Sequence, residues 1–370
     1  MWQKVLPLAW EPPADGHTGQ VTSIALSPDG RWVASASVDT TMILWDIKSR
    51  RIIRKWQSHE AVWHIKFSPD SSRLAAGGDD GQLDIWSVED GNQLATLQGS
   101  THRITSLDWS PDGAKLAYSS DDSITRVWDT KKYVLLHSFK GQSSSVSFSH
   151  DGRWLATSGT TCRVWSLDAP KKGGPKQSQP HRQLRTRRGI VRGVAFDYTA
   201  PRLATLFDGG DVSIWDLSSG RELKHHAART PENRNGLHSA KEIPTTTTDR
   251  KQTPEPTYII AFSEEGDQLL WTSKDSKLNV CDLHLDVVRL PFQEDVGSVS
   301  SAAFHSEYII SALSDGVLRI WRRDDGSVVN STALVGDRLE VTQTLLAPGK
   351  GIVLQGSRDG KLHLYNFSER

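Results

Sequence analysis

The chain begins with a region in which short apolar runs alternate with tight-turn signals. Between Gly16 and Asp46 each run is about five to seven residues long, too short for a helix and typical of a strand. The first turn is Ser-Pro-Asp-Gly at 27–30, where proline presets φ and glycine tolerates the exit from a type I turn. With a second turn at Asp39-Thr40, the pattern predicts three antiparallel strands joined by tight turns.

The end of this region, an aliphatic strand that closes on an aromatic residue, recurs along the chain. The closing positions are Trp45, Trp86, Trp128, Trp165, Trp215, Cys281, Trp321 and Tyr365. Most of them are about 40 residues apart, and repeats of that length with four strands each are typical of propeller blades. One such sheet cannot bury both its faces, so these positions predict eight units that pack against each other.

The first turn recurs in phase with the closing strands. It is repeated at 67–70, 109–113, 148–152 and 262–266. Together these landmarks resemble the WD-repeat family, including the repeats of fungal WD-repeat proteins, over nearly the whole chain. The resemblance implies an all-β fold, a β-propeller of four-stranded antiparallel blades around a central channel. Eight blades is the preferred count and seven the alternative.

A single propeller is expected to take up all residues from 1 to 370. The predicted blades cover residues 16–57, 58–98, 99–140, 141–188, 189–226, 257–292, 296–334 and 338–370. Residues 3–9 are expected to supply the outer strand of the last blade, so that the chain closes a complete ring and leaves fewer exposed edges. Two segments depart from the period, a basic loop at 168–181 and a polar, proline-containing insertion at 227–256 that is expected to be disordered.

The resemblance also implies a polar network inside each blade. Its members in the first repeat are His17, Ser35, Asp39 and Trp45. A histidine, a serine and an aspartate together also suggest a catalytic site, but a buried network that satisfies its own polar groups explains the fixed spacing better. The second repeat has Ala76 at the serine position, so its network is expected to be broken.

Composition restricts the partners that the chain could attract. Lys+Arg and Asp+Glu both number 44, so the net charge is zero and no global attraction to nucleic acid or to a membrane surface is expected. No apolar run is long enough to span a membrane, and the N-terminus lacks the features of a signal peptide. Cys162 and Cys281 form no disulfide framework. An intracellular, cytoplasmic location is expected, with the nucleus as an alternative through the basic residues at 171–188.

Catalytic and cofactor motifs are missing from the sequence. It contains no phosphate-binding loop, no zinc-type spacing of cysteine and histidine, and no nucleophile elbow. We therefore expect no enzyme activity, no cofactor and no metal.

The partner-binding residues are expected on the top face of the ring, where each inner strand begins. In the WD-repeat family, the residues beside the first inward apolar residue and before the turn aspartate often contact partners. The candidates are Trp63, Arg103, Arg192 and Tyr258, with Asp79 and Asp121 as charge complements and Lys274 and Arg358 as further rim residues. The equivalent positions elsewhere are Gln20, Thr22, Val38, Ala61, Thr105, Gln142, Ser144, Ile190, Asp208, Ser298, Ser300, Ser314, Glu340 and Thr342.

These features predict a non-catalytic scaffold that binds a protein or peptide and acts within a larger complex. One alternative is a propeller enzyme or small-ligand site in the central channel. A second is nucleic-acid binding through the basic loop, which has no interleaved aromatics for base stacking. A third is a substrate receptor for a cullin-type ubiquitin ligase, because 45–48 and 128–131 resemble the WD-x-Arg/Lys box of such receptors.

Overall fold

The computed structural model describes residues 6–7, 16–167, 180–184, 189–227, 258–285, 287–289, 298–313, 316–333, 341–347, 349 and 351–366. These residues form eight four-stranded antiparallel sheets, and no α-helix occurs among them. The predicted all-β propeller with eight blades is therefore confirmed, and the alternative count of seven is wrong. Most of the two predicted insertions, at 168–179 and 228–256, lies outside the described residues.

The first four blades follow the chain from β2 to β17. Their strands are β2 (Val21–Leu26), β3 (Trp32–Ser37), β4 (Thr41–Asp46) and β5 (Arg51–Gln57); β6 (Val62–Phe67), β7 (Arg73–Gly78), β8 (Gln82–Ser87) and β9 (Gln93–Gln98); β10 (Ile104–Trp109), β11 (Lys115–Ser120), β12 (Ile124–Asp129) and β13 (Val134–Lys140); and β14 (Val146–Phe148), β15 (Trp154–Thr157), β16 (Cys162–Ser166) and β17 (Arg182–Leu184). In each blade the strands pair in chain order from the inside outwards.

The last four blades use β18 to β32 together with β1. Their strands are β18 (Val191–Phe196), β19 (Arg202–Phe207), β20 (Val212–Asp216) and β21 (Glu222–His226); β22 (Ile260–Phe262), β23 (Gln268–Thr272), β24 (Leu278–Asp282) and β25 (Val287–Arg289); β26 (Val299–His305), β27 (Tyr308–Leu313), β28 (Val317–Arg322) and β29 (Val328–Ala333); and β30 (Val341–Ala347), β31 (Ile352–Ser357), β32 (Leu362–Asn366) and β1 (Leu6–Pro7). β1 pairs with β32, and Pro7 is tolerated there because an outermost strand bonds along one edge only.

The hydrophobic core is divided among the contacts between neighbouring blades. Each of the eight contacts has its own cluster of buried apolar side chains, to which both blades contribute. Trp45 of blade 1, for example, packs in one cluster with Leu354 and Leu364 of blade 8. The inner strand β2 contacts both β6 and β30. Blades 1 and 8 therefore pack as neighbours, and the ring is closed.

The two faces of the ring carry different turns. The turns between the first and second strands lie at the bottom face, and Ser27 shows why their sequence recurs. Its hydroxyl donates to Asp29 Oδ1 at 2.5 Å and accepts from the Trp32 N–H at 2.8 Å. The turns between the second and third strands lie at the top face, beside the start of each inner strand.

Candidate functional site

A cavity of about 410 Å³ opens on the top face across blades 2 to 5. Four of the predicted partner-binding residues line it, and they come from three different blades. These residues are Trp63, Arg103, Asp121 and Arg192. Hydroxyl and amide side chains of blades 3 and 4 supply much of the remaining lining, including Thr105, Gln142 and Ser144. The chain thus brings together residues that are up to 129 positions apart, from Trp63 to Arg192.

One wall of the cavity is an aromatic and charged series. The Trp63 indole N–H donates to Asp79 Oδ1 at 2.9 Å, and the Arg103 guanidinium lies 5.9 Å from the centre of the Trp63 ring. Arg103 Nε in turn lies 3.3 Å from Asp121 Oδ2, in a pair whose side chains are each 49% exposed. An ion pair this exposed contributes little to stability, so both charges stay accessible to a partner.

The opposite wall is formed by Arg192, whose side chain is exposed. Its guanidinium lies 5.6 Å from the centre of the Tyr258 ring, and the Tyr258 hydroxyl donates to the Asp208 carbonyl at 3.5 Å. Tyr258 therefore supports Arg192 from blade 6 without lining the cavity itself. Lys274 and Arg358 are also exposed but do not line this cavity.

A β-bulge explains why Trp63 and Arg192 point at the opening. The pairing register shifts between Val62 and His64 and again between Val191 and Gly193, so each bulge leaves one inner-strand residue unpaired. A bulge bends its strand and redirects the side chain of the extra residue. The sequence indicated which positions lie at the top of the strand, but it contained no signal for the bulge.

Bulged residues in other blades have a different role. The Thr22 hydroxyl donates to the Val62 carbonyl of blade 2 at 2.5 Å, and the Thr342 hydroxyl donates to the Val21 carbonyl of blade 1 at 2.6 Å. The Thr105 hydroxyl likewise donates to the Ser143 carbonyl of blade 4 at 3.2 Å. A threonine at this position therefore ties neighbouring inner strands together. Ser314 and Glu340, two further predicted rim positions, lie outside the described residues.

His64 lines the cavity, although sequence reasoning did not select it. Burial lowers the pKa of its imidazole to about 4, and the charge of Arg103 lowers it further in the same direction. The ring is therefore neutral near pH 7 and adds no positive charge to the cavity. The only sequence signal for His64 is that it follows Trp63 on the bulged strand.

The four residues of the predicted blade 1 network are in contact. His17 Nε2 lies 2.7 Å from Ser35 Oγ, which also accepts a hydrogen bond from the Trp45 indole N–H at 2.9 Å. His17 Nδ1 lies 3.5 Å from Asp39 Oδ1 and 2.7 Å from Thr41 Oγ1, so Thr41 is a fifth member that the sequence did not reveal. The histidine hydrogen-bonds on both nitrogens inside the blade, as a structural residue does.

Asp39 is a strong acceptor in this network. Burial raises the pKa of its carboxyl, but hydrogen bonds from Thr41 and Thr18 outweigh that effect and lower the pKa to about 2. Burial lowers the pKa of His17, only partly offset by Asp39. Near neutral pH, His17 is therefore an uncharged imidazole and Asp39 is a carboxylate.

The closing tryptophan finds an equivalent partner in several other blades. The indole N–H of Trp215 donates to Thr205 Oγ1 at 3.0 Å, and that of Trp321 donates to Ser311 Oγ at 2.8 Å. In blade 2, where Ala76 occupies the serine position, the buried Trp86 Nε1 has no hydrogen-bond partner in the described part of the chain. The contrast shows that the small hydroxyl residue supplies the hydrogen-bond acceptor for the buried indole N–H.

Comparison with known proteins gives the same repeat pattern. The family model described as "WD domain, G-beta repeat" matches residues 11–46, 50–87, 91–129 and 133–166. These matches cover four successive repeats, and the remaining blades share their strand order and their closing position. The chain therefore contains four WD repeats, which lie within residues 11–166.

Curated relatives of this WD-repeat chain are matched over part of their length. Human apoptotic protease-activating factor 1 is 27% identical over 235 residues, covering 59% of the chain and 18% of that protein. A periodic tryptophan protein 2 homolog from the fungus Schizosaccharomyces pombe is 35% identical over 85 residues, covering 23% of the chain and 10% of that protein. The chain thus spans less than a fifth of the length of either relative.

A solved structure matches the whole propeller. The crystal structure of the computationally designed Ika8 protein has a TM-score of 0.71 and 19% sequence identity, covering 95% of this chain and 98% of that chain. At this identity the similarity concerns the fold alone.

The aspartate that follows the closing tryptophan has a local structural role in this WD-repeat chain. Asp46 Oδ1 accepts the Ser49 N–H at 2.6 Å, and Asp129 Oδ1 accepts the N–H groups of Lys131 and Lys132 at 2.9 and 2.8 Å. Each carboxylate thereby fixes the turn into the outer strand. This geometry accounts for the aspartate in both ligase-type boxes and leaves the ligase alternative untested.

The described part of the propeller lacks the features of several other kinds of site. There, no group of three histidine, cysteine, aspartate or glutamate side chains is arranged to hold a metal ion. Cys162 and Cys281 are both unbridged and buried, and burial raises the pKa of the Cys162 thiol to about 12. Among the same residues, no helix has the length and apolar character needed to cross a membrane. Residues 171–179 and 185–188 of the basic stretch lie outside them.

Proposed function

We propose that this WD-repeat propeller is a non-catalytic interaction scaffold that binds a protein or peptide partner on its top face. The observation that carries the proposal is the convergence of Trp63, Arg103, Asp121 and Arg192 on one open cavity. Tryptophan and arginine are the residue types that most often dominate binding energy at protein interfaces. Propellers of this family generally act as protein-interaction scaffolds, and the proposal extends that role to a defined surface of this chain.

The physical character of the cavity favours a peptide segment over a small metabolite. The cavity is open to solvent, and most of its lining residues are charged or carry a hydroxyl or amide group, whereas small-molecule sites are usually enclosed and mostly apolar. Tyr258, Lys274 and Arg358 extend the polar rim beyond it, which gives a larger partner further points of contact. A folded partner that presents one segment to the cavity would therefore fit this face.

A catalytic role for the cavity has weak support. His64 is the histidine that lines the cavity. Among the described residues, the His64 ring makes no hydrogen bond to a serine or to a carboxylate. A general base needs a pKa near the working pH and a proton within reach, whereas the His64 pKa is about 4. Asp121 forms an ion pair with Arg103 and is half-exposed.

The proposal includes an intracellular, cytoplasmic location within a larger complex. Its support is that Cys162 and Cys281 lie buried in different strands and are not joined in a disulfide. Fluorescence microscopy of a tagged full chain tests it, with a diffuse or assembly-associated cytoplasmic signal as the expected result and secretion into the medium as the contrary one.

The function is tested by substitution on the two faces. Tagged wild type, Trp63→Ala and Tyr198→Ala are compared by quantitative affinity purification from the native host. Tyr198 is the matched control, because it is an exposed aromatic residue, 54% accessible, in a bottom-face turn. Proteins retained by wild type and Tyr198→Ala should fall by about tenfold or more with Trp63→Ala, since a central aromatic contact is typically worth 2 kcal/mol or more.

Thermal unfolding of all three proteins separates binding from folding. Trp63 is half-buried at the rim, so its loss should leave the unfolding midpoint close to that of wild type. Equal retention of partners by the folded Trp63→Ala variant would show that the top-face cavity is not the binding site.

A further inference from the structure

Blade 4 has a shorter top-face hairpin than the other seven blades. From the first residue of the second strand to the closing position the separation is 13 residues in blade 1, Trp32 to Trp45, and it is the same in every other blade except blade 4. In blade 4, Trp154 and Trp165 are 11 residues apart. β15 and β16 accordingly have 4 and 5 residues, whereas β3 and β4 have 6 each.

The shortening lowers the rim at this blade. Strands rise by roughly 3.3 Å per residue, so one residue fewer on each side places the turn about 3 Å lower than its neighbours. Gly159 lies in this turn with φ +148°, and a Cβ there would be 2.4 Å from the Gln142 carbonyl oxygen. The Gly159 carbonyl accepts the Val191 N–H at 2.8 Å, which fixes the low turn to the inner strand of blade 5. The result is a notch in the top rim, called the blade 4 notch below.

Arginines from the two flanking blades border the blade 4 notch. Arg103 belongs to blade 3 and Arg192 to blade 5, and both line the cavity together with Gly159. Asp121 offsets part of the Arg103 charge. Arg192 has no acidic partner within ion-pair distance in the described part of the chain, and its guanidinium lies over the Tyr258 ring. The lining therefore holds two cations and one anion, and His64 is neutral.

The floor of the notch adds neutral donors. Ser144 and Thr160 are exposed hydroxyl residues of blade 4, and both line the cavity. An anion bound by the two arginines would share the cavity with these hydroxyl groups. Arginine binds carboxylates and phosphates through two parallel N–H···O bonds, which are about twice as strong as neutral hydrogen bonds.

We propose that the blade 4 notch is an anion-recognition site that takes an acidic side chain of the partner segment, a carboxylate or a phosphate monoester, between Arg192 and Arg103. This inference rests on the proposed function, because it assigns the charge of the group that the top face recognises. Arg192 supplies the uncompensated charge, and Arg103 exchanges its exposed contact with Asp121 for the bound anion. The Trp63 ring, which stacks under Arg103, gives the neighbouring partner residue an apolar surface.

The test uses fluorescein-labelled, end-capped octapeptides at low salt. One peptide alternates glycine with glutamate, a second replaces every glutamate with glutamine, and a third replaces one glutamine of the second with phosphoserine. Fluorescence anisotropy measures their binding to the full chain, to Arg192→Gln and to Arg51→Gln, the control. Arg51 is an exposed arginine on outer strand β5, remote from the cavity lining.

The expected result is binding of the anionic peptides and not of the glutamine peptide. Arg192→Gln should weaken that binding about tenfold, because a charge-assisted hydrogen bond is worth about 1.5 kcal/mol or more, while Arg51→Gln should leave it unchanged. Added salt should weaken it as well. Binding of the glutamate peptide identifies a carboxylate, and binding of the phosphoserine peptide alone identifies a phosphate. Equal binding of charged and neutral peptides, or an equal loss with Arg51→Gln, would overturn the inference.

A second variant tests the notch itself. Insertion of two residues, Asn-Gly, between Gly159 and Thr160 restores the common 13-residue spacing and should raise the turn into the notch. Anionic peptides should then bind at least tenfold more weakly, with an unchanged β-sheet circular dichroism spectrum. Unchanged peptide binding by the folded insertion variant would exclude the notch, and if this variant does not fold, Arg192→Gln decides the question.

The two proposals fail in different ways. The anion-site proposal is wrong if no anionic peptide binds and Arg192→Gln still retains the purified partners. If Trp63→Ala loses those partners in the same experiment, the top-face scaffold proposal is still supported. If Trp63→Ala and Arg192→Gln both retain every partner, the scaffold proposal itself fails.

Discussion

At the scale of single residues, those that stabilise the fold and those proposed to bind a partner lie in different places, inside the blades and on the top rim. His17, Ser35 and Trp45 are buried and bond to one another, whereas Arg103 and Arg192 reach solvent beside aromatic rings. The resemblance to a repeat family identified the first group because its members recur at fixed spacing. The second group varies from blade to blade, so its positions were predictable while its contacts were not.

The unpartnered indole of blade 2 gives a stability prediction. Ala76→Ser should place a hydroxyl near Trp86 Nε1, as Ser35 does for Trp45, because Ala76 pairs with Ile65 in the register that joins Ser35 to Ile24. Supplying an acceptor to a buried donor should raise the free energy of unfolding by about 1 kcal/mol. Urea denaturation followed by circular dichroism measures the change. A lower stability than wild type would mean that the hydroxyl oxygen does not reach the indole.

The pH dependence of stability provides a second residue-scale prediction. The pKa of His64 is about 4 in the folded chain and near 6.5 when unfolded, so the unfolded state takes up a proton first as the pH falls. Stability from the neutral His64 is complete above pH 6.5 and decreases as the pH falls toward 4. The free energy of unfolding should decrease between pH 7.5 and pH 5, and His64→Gln should remove about 2 kcal/mol of that decrease.

The matched comparison is urea denaturation of wild type and His64→Gln at both pH values. His17 should leave a residual pH dependence in the variant, because its pKa is also lowered by burial. Identical pH dependence of the two proteins would show that His64 is not held neutral by its surroundings.

At the scale of strands and turns, the repeat period predicted the architecture well, and local departures from it escaped prediction. The closing positions and the Ser-Pro-Asp-Gly turns indicated four-stranded blades because strand length and turn chemistry are local properties. The bulge at Trp63 depends on pairing with β7, which no local pattern encodes. The sequence showed that the hairpin of repeat four is two residues shorter than those of the others. The resulting notch could not be predicted from that, because the flanking blades form its sides.

The hairpin of blade 4 gives an element-scale prediction. Gly159→Ala should destabilise the protein by roughly 1–3 kcal/mol, because φ +148° disfavours a side chain and the new Cβ would meet the Gln142 carbonyl. Gly209→Ala is the matched control, since a Cβ at that top-face turn has no heavy atom within 4 Å. Chemical denaturation of both variants checks the difference. Equal stability of the two would mean that the low turn is not held against Gln142.

At the scale of the whole molecule, recognition depends on the ring as a rigid frame. Eight apolar clusters fix each blade to its two neighbours, and the contact between blades 1 and 8 closes the circle. Rigid neighbours can hold Arg103 and Arg192 on opposite sides of one short hairpin. The sequence indicated the eight units, but which rim residues share a cavity follows only from the assembled ring.

The most direct test of the top-face account is hydrogen–deuterium exchange of the full chain with and without a partner recovered by the affinity purification. Protection is expected in backbone segments 61–64, 103–105, 142–144 and 190–192, which carry the cavity lining. Protection confined to the bottom-face turns at 149–152 and 197–201, with no change at the cavity, would contradict the account.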